Sequence, residues 1–292
     1  MSTLSCEAQF SIDRYTPRAS KYDTSSNAFH AELGRDFVKW ISPKPGQTVL
    51  DLACGTGLVT IPMAEAVGPS SQVVGIDITP AMLAEARKKP LSTNSALVTW
   101  IEHDITSISN LTEIRNVVDK KGGFDIISCC SALVLLPDPA EHIKSWSRLL
   151  KPGSGRMIVD VLTPARTLLY LSTIALPKAL GLNPTYRDWV VDIHSLEHLF
   201  QAAGLNIETS FEHLLNAETS FGAHSYIGDH FYEAHERDAV FEEVIQNSKL
   251  VREHGKVEGA RQLWPKLWEE NLTEDRKFHD GNWLYVTIGR KV

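Results

Sequence analysis

The run Asp51-Leu52-Ala53-Cys54-Gly55-Thr56-Gly57 sets an acid ahead of a series of small residues, two of them glycine, directly behind the apolar Val49 and Leu50. Small residues at such a point let a ligand approach the backbone. A helix starting just behind them presents free N–H groups and a partial positive charge, which suits a carboxylate or a phosphate. Asp77 closes the next apolar run in Gly75-Ile76-Asp77. A carboxylate at that edge can accept hydrogen bonds from both hydroxyls of a ribose. The shared element is a nucleoside, and two classes compete for it. A dinucleotide fingerprint begun at Gly55 puts Thr60 where its third glycine belongs and leaves Asp51 beside a pyrophosphate that it would repel. The alternative is the spacing Asp51-x-Ala53-x-Gly55-x-Gly57, which keeps the acid as part of the motif.

These residues need strand ends to hold them. Between Thr48 and Val161 short apolar runs alternate with amphipathic stretches, the pattern of a parallel sheet covered on both faces. Strands are expected at Val49–Leu52, Gln72–Asp77, Val98–His103, Phe124–Cys130 and Arg156–Leu162. Helices are expected at Leu58–Val67, Pro80–Lys88, Asn110–Asp119 and Ala140–Leu150, with Pro80 and Pro139 in first turns and Asp138 as a cap. Thr163 to Asp192 is apolar, aromatic and broken by prolines. Ser195 then caps a helix ending near Gly204, Asn206–Phe211 reads as a strand, and Trp283–Gly289 has the alternation of a last strand. About 70 residues of largely helical spacing lie between those last two strands.

With this frame, Asp51-x-Ala53-x-Gly55-x-Gly57 closely resembles motif I of the class I S-adenosylmethionine-dependent methyltransferases of small-molecule type, with alanine at the first glycine position. The resemblance extends to Asp77 as the ribose-binding acid, to His103-Asp104-Ile105 as the acid near the adenine amine, and to Ser131–Asp138 as the segment after strand four. Lys151-Pro152-Gly153 is similar to the family's K-P-G turn, and Ser195 to Gly204 to its helix before strand six. It covers about Tyr15 to Phe211 and the final strand. It implies an α/β, Rossmann-like seven-stranded sheet with its last strand antiparallel, plus a mainly helical cap insertion. It also implies S-adenosyl-L-methionine as cofactor, with Asp51 toward the amino-acid end and Ala53, Cys54, Gly55 and Gly57 bordering the sulfonium and ribose. Ile78, Met82 and Ser131 complete the implied contacts, and Tyr22 resembles a Tyr-Asp segment that folds over the cofactor, although an ordinary surface tyrosine fits the sequence nearly as well.

The chain departs from the family where a base is expected. Many small-molecule members carry A-L-H after strand four, whereas this chain has Ala132-Leu133-Val134. Methyl transfer needs alignment and exclusion of water first, and a base only for some acceptors. Candidate catalytic residues are therefore sought in the insertions, at Tyr186, His224 and His230, with Tyr226 and His30 as further aromatic or polar tips; each taken alone reads equally well as packing or surface. His194-Ser195-Leu196-Glu197-His198 matches an H-x-x-E-H zinc pattern but overlies a helix with a structural role, so no metal is expected. Trp264 and Trp268, one turn apart, read as core, as do Cys129 and Cys130.

Composition bounds the rest. The 292 residues are 43% hydrophobic and 22% charged, ordinary globular values that exclude disorder and collagen-like or coiled-coil chains. A net charge of -7 without a basic run argues against nucleic acid. Four cysteines without C-x-x-C spacing point to a reducing, cytoplasmic setting. No apolar stretch is long enough to span a bilayer, though Thr167–Pro177 could lie on one. The expected organisation is an N-terminal helical cap over 1–45, a core over 46–213 and 283–292, and a cap insertion over 214–282. The expected activity is methyl transfer to a small organic molecule, with secondary metabolism as the expected setting. The alternative is a cyclase or isomerase of the same fold that uses the bound cofactor without reacting it.

Overall fold

The computed structural model describes residues 5–24, 29–163, 167–183, 189–214, 218–221, 224–227, 230–281 and 283–292. The chain runs α1 (Cys6–Tyr15), a 3-10 stretch (Thr16–Lys21), α2 (Phe29–Ile41), β1 (Val49–Leu52), α3 (Thr60–Val67), β2 (Gln72–Asp77), α4 (Pro80–Lys88) and β3 (Leu97–Glu102). It continues with α5 (Thr112–Lys121), β4 (Ile126–Cys129), α6 (Pro139–Ser147), β5 (Arg156–Leu162), α7 (Thr167–Tyr170), a π-helical stretch (Leu171–Ala175), α8 (Leu176–Ala179), α9 (His194–Ala202) and β6 (Leu205–Leu214). The remainder is β7 (Glu218–Phe221), β8 (His224–Ile227), β9 (His230–Tyr232), α10 (Arg237–Asn247), α11 (Lys249–Glu253), α12 (Val257–Glu270), β10 (Phe278–Asp280) and β11 (Trp283–Lys291).

Seven strands form one sheet in the order β3-β2-β1-β4-β5-β11-β6. β1 pairs in parallel with β2 through Asp51 opposite Gly75, and with β4 through Asp51 opposite Ser128. Every residue of β1 and β4 is buried, which explains why they are apolar except where Asp51 and Ser128 pair with each other. β11 runs against β5: Thr163 N–H donates to the Trp283 carbonyl at one end, and Lys291 N–H to the Gly155 carbonyl at the other. The order reverses at β1 and β4, so their carboxyl ends open a crevice where such sheets bind ligands.

By contact the chain divides into two compact units, Met1–Val161 with Ile193–Phe211 and Val286–Val292, and Leu162–Asp192 with Glu212–Tyr285. The second has a core of its own, in which Leu168, Leu171 and Leu176 join Phe241, Val244, Trp264, Trp268 and Phe278. The two sequence segments that interrupt the sheet thus fold together. Besides its helices this unit holds two antiparallel pairs, β7 with β8 and β9 with β10, that helical spacing does not reveal. Among the described residues no helix is long and apolar enough to cross a membrane.

Two caps expected from sequence are absent. Asp138 precedes α6 but has a left-handed φ of 47° and makes no capping bond, because a side chain caps from extended backbone. α9 starts at His194, so Ser195 lies inside its first turn, and burial of Leu196 and Phe200 holds the helix instead.

Candidate cofactor site

β1 ends in a turn that small residues make possible. Ala53, Gly55 and Gly57 all have left-handed backbone, with φ of 54°, 54° and 83°. The turn closes through Gly57 N–H to the Cys54 carbonyl at 2.8 Å, and Cys54 N–H crosses to the Ile76 carbonyl at 3.0 Å. A Cβ on Gly57 would stand 2.8 Å from the Trp100 ring, and one on Gly75 would stand 2.9 Å from it. These two glycines therefore make room for one indole, and Gly57 acts through packing.

Two acids follow different logics. Asp51 is 1% exposed and both its oxygens are taken: Thr60 Oγ1 donates at 2.5 Å and Ser128 Oγ at 2.7 Å. It ties β1 to α3 and β4, and burial lifts its carboxyl to about 6 against those two hydrogen bonds. Asp77 receives backbone N–H groups from Gly55 and Thr79, each at 2.8 Å. Burial raises its carboxyl too, opposed by those two bonds and by the Thr79 side chain. A carboxylate offers about four acceptor positions, more than these donors fill, so Asp77 holds the β1 turn in place and can still take up a ribose hydroxyl.

At the end of β4, Ser131 also adopts left-handed backbone, with φ of 54°. Asp160 on β5 holds it there, accepting Ser131 N–H at 2.7 Å and Ser131 Oγ–H at 3.2 Å. Burial pushes the Asp160 carboxyl up to about 6. At the end of β3, His103 N–H donates to the Asp77 carbonyl at 3.1 Å, and the Asp104 carboxylate accepts Thr106 N–H at 2.9 Å.

These strand ends enclose a cavity of about 220 Å³. Its walls include Tyr22, Ala53, Gly55, Asp77, Ile78, Met82, Asp104, Ile105 and Ser131, all expected from sequence. Asp51, Cys54, Gly57 and His103, also expected there, are not among the lining residues. Cys54 and Cys129 are buried, with thiols raised well above their ordinary range by desolvation. Cys130 departs from its reading as core: it is half-buried and lines the cavity.

Sequence reasoning missed part of this wall. Ser5, Ala8, Ser11 and Tyr15 line it from α1 and its N-terminal residue, a helical face whose spacing is the only signal available. Tyr22 stacks on His30 at 4.6 Å, and burial raises its phenol so far that it stays protonated. Its neighbour Asp23 accepts Thr56 Oγ1–H at 2.5 Å and pairs with Lys89 at 2.5 Å, while Lys89 also donates to the Thr56 carbonyl at 2.7 Å. His142 on α6 was missed as well. Asp160 carried a legible signal, a lone acid inside Ile158-Val159-Asp160-Val161.

The catalytic candidates all belong to the second unit. Tyr186 lies outside the described residues. His224 is on β8 opposite Phe221, and His230 is on β9 with its ring 4.2 Å from Tyr232; both belong to the second unit. Among the described residues no group of His, Cys, Asp or Glu could hold a metal ion, and His194 of the zinc-like pattern engages Glu197 at 2.8 Å.

The residues fit an adenosyl cofactor: a turn with no Cβ at Gly55, an acid with spare acceptor positions at Asp77, and apolar walls beyond it. A parallel sheet with an antiparallel last strand and a nucleoside cavity at its switch point defines a Rossmann-like transferase fold. The family model described as methyltransferase domain matches residues 43–215, and the chain belongs to this family of class I S-adenosylmethionine-dependent methyltransferases. It is 32% identical over 143 residues to nocamycin O-methyltransferase of Saccharothrix syringae, covering 48% of this chain and 46% of that one. It is 32% identical over 168 residues to 2-phytyl-1,4-naphtoquinone methyltransferase of Synechococcus elongatus, covering 55% and 68%. The chain thus spans about half the length of the first relative and two thirds of the second. Magnesium protoporphyrin IX methyltransferase from Synechocystis PCC 6803 with bound SAH superposes with a TM-score of 0.52 at 20% identity, over 75% of this chain and 95% of that one. The cyclase SpnF superposes at 0.54 and 15%, over 97% and 96%. These structural likenesses concern the fold.

Proposed function

We propose that this chain transfers the methyl group of S-adenosylmethionine to an oxygen of a small organic acceptor, in the cytoplasm and without a nucleic-acid or membrane partner. The observation that carries the cofactor half is Asp77, held by Gly55 and Thr79 with its remaining acceptor positions available. In this reading Asp77 binds the ribose, Asp104 the adenine amine, and Ser131, fixed by Asp160, the amino-acid end. The names of the nocamycin and ubiquinone-pathway relatives support an oxygen acceptor. When bound, the cofactor supplies a methyl carbon activated by its sulfonium; the protein must align the acceptor and keep water out.

Tyr22 remains a phenol, Asp77 and Asp104 are committed to the nucleoside, and His142 on α6 is the one imidazole among the described cavity residues. Because the chain lacks the family's histidine after β4, we assign the acceptor to the readily ionised hydroxyls, phenols or enols, that react as anions. The test is methyl transfer from labelled S-adenosylmethionine to phenols of graded acidity at constant pH. Rates that track the ionised fraction of the acceptor support the reading, and transfer to simple alcohols at equal rates overturns it.

The second unit is proposed to select the acceptor, supported by its separate core and its aromatic and histidine content. His224→Ala and His230→Ala should lower turnover and leave cofactor affinity within about twofold; unchanged turnover in both removes these residues from the site. The cyclase or isomerase reading rests on the missing histidine after β4. It gains if S-adenosylmethionine binds tightly while no ionisable acceptor is methylated.

A further inference from the structure

The cavity has two kinds of wall. The strand ends supply Gly55, Asp77, Asp104 and Ser131, which serve the cofactor in the proposed function. α1 and its cap supply Ser5, Ala8, Ser11 and Tyr15, a helical face that cofactor binding leaves unused. Ser5 spends its hydroxyl as the cap of α1, accepting Ala8 N–H at 3.1 Å, and Ala8 is apolar and buried. The hydroxyls of Ser11 and Tyr15, one turn apart, have no hydrogen-bond partner among the described residues. Both residues are half-buried, and neither oxygen is sealed. Tyr15 is held in place: its ring stands edge-on to that of Tyr22 at 6.2 Å and 71°, and the Arg14 guanidinium lies 5.9 Å from its centre. The Tyr22 phenol feels Tyr15, Cys130 and Asp77 together, so the Tyr15 oxygen is turned toward groups that line the cavity.

The stretch after β4 adds an apolar surface to the same cavity through Ala132, Leu135 and Leu136. The charges nearest Tyr15 favour an anion: Arg14 lies over its ring, and Arg18 acts on the neighbouring Tyr22. Asp77, Asp104 and His142 line the rest of the cavity. On α4, which packs against α1, Lys88 pairs with Glu85 and Lys89 with Asp23. A flat ring with one ionised oxygen suits this wall, its faces against leucine and its oxygen toward hydroxyl donors. We propose that Ser11 and Tyr15 bind the acceptor, donating hydrogen bonds to the oxygen that is methylated and holding it as a phenolate or enolate against Leu135 and Leu136. This rests on the oxygen-acceptor reading above. Such bonds are stronger to an anion than to a neutral hydroxyl, so the bound acceptor ionises at lower pH than the free one. The acceptor gives its proton to water, and its oxygen then forms the new O–C bond as the C–S bond of the cofactor breaks, leaving S-adenosylhomocysteine.

The test is steady-state methylation of 4-nitrophenol and 4-cyanophenol by the full chain over a pH series, with S-adenosylhomocysteine affinity measured by calorimetry, for the wild type, Tyr15→Phe, Ser11→Ala and Ser11→Thr. Tyr15→Phe should raise the KM of the phenol about tenfold and move the acid limb of kcat to higher pH, with S-adenosylhomocysteine affinity kept within about twofold. Ser11→Ala should raise the same KM about three- to fivefold. Ser11→Thr, which keeps a hydroxyl, should restore most of that loss. Ser11→Ala keeps the test decisive if Tyr15→Phe folds poorly by its melting transition. An unchanged KM in both deletions, or an acid limb that stays where the wild type has it, would overturn the proposal. Parallel loss of S-adenosylhomocysteine affinity would give these hydroxyls to the cofactor and overturn it as well. A wild type that binds S-adenosylhomocysteine but methylates neither phenol would instead reject the oxygen-acceptor reading, and the proposal with it.

Discussion

Both units bury acids, but the acids of the first surround a cavity. The first places acids in its interior, with Asp51, Asp77 and Asp160 at 8% exposure or less, each held by hydroxyl or backbone donors. The second buries Asp280, which accepts Leu168 N–H at 2.9 Å, and Glu243, but sets them in a cluster of aromatic rings in which Trp268 stacks on Phe278 at 4.4 Å and Trp264 packs on Phe241 at 5.8 Å. Apolar burial adds stability in proportion to area, whereas a buried carboxylate costs desolvation that its hydrogen bonds only partly offset. The first unit therefore spends stability on preorganised polar groups around a cavity, and the second accumulates it.

The largest effect expected from this contrast is on the second unit. Trp268→Ala removes an indole that is 1% exposed and should cost about 3–5 kcal/mol. Thermal or urea unfolding measures it, and a loss below about 1 kcal/mol would mean that the aromatic cluster is not what holds this unit. Binding of S-adenosylhomocysteine should change far less than the melting temperature.

Next in size is the cost of the buried acids, which pH exposes. The folded pKa of Asp160 is raised to about 6 from 3.8, as is that of Asp51. Between those values the folded state binds more protons than the unfolded one, so stability is greatest below about pH 4 from this source and is lost as pH rises through 6. At roughly 1.4 kcal/mol per pKa unit, each acid accounts for on the order of 2–3 kcal/mol. Asp160→Asn, whose amide can still accept Ser131 N–H, should flatten this part of the pH–stability curve. A variant curve parallel to that of the wild type between pH 4 and 7 would show that Asp160 is not desolvated as described.

The third prediction separates a binding acid from a structural one. Asp77→Ala should weaken S-adenosylhomocysteine at least tenfold, about 1.5–3 kcal/mol for a lost charged acceptor, with NAD binding absent in both forms. Asp51→Asn should act mainly on stability, since both oxygens already serve Thr60 and Ser128. If the two exchanged roles in calorimetry, the division of labour between these acids would be wrong.

This division marks the limit of what the sequence makes legible. The central strands of the first unit, β1, β2, β4 and β5, can be read because burial on both faces forces mostly apolar runs, and Asp77 can be read because it ends one of them. The fate of Asp51 cannot: its partner Thr60 starts α3 9 residues on, beyond the turn, and Ser128 lies 77 residues away and meets it only through the pairing of β1 with β4. His142 reads as one polar residue of an amphipathic helix until its ring is seen to stack on Trp146, which donates Nε1–H to the Ile105 carbonyl. In the second unit Trp264 and Trp268 announce a core through their one-turn spacing, and both are buried. The pairing of β9 with β10 joins Tyr232 to Phe278 across 46 residues of mostly helical chain, which local periodicity does not encode.

The smallest effect concerns backbone strain at the cavity rim, where two non-glycine residues share a left-handed φ of 54°. Ser131 is compensated, because its N–H and hydroxyl both bond Asp160. Ala53 has no polar side-chain atom and so no such bond, while a Cβ in this region costs about 1–2 kcal/mol. Glycine at 53 would remove that strain but would add about 0.5–1 kcal/mol of backbone entropy to be lost on folding. Ala53→Gly should therefore stabilise the protein slightly, by no more than about 1 kcal/mol, and Ser131→Gly should destabilise it because Asp160 would lose its hydroxyl donor. Paired melting curves decide the matter. If Ala53→Gly destabilised by more than about 1 kcal/mol, the methyl group would be packing against its surroundings, and the alanine would be a stabilising feature of this turn rather than a tolerated one.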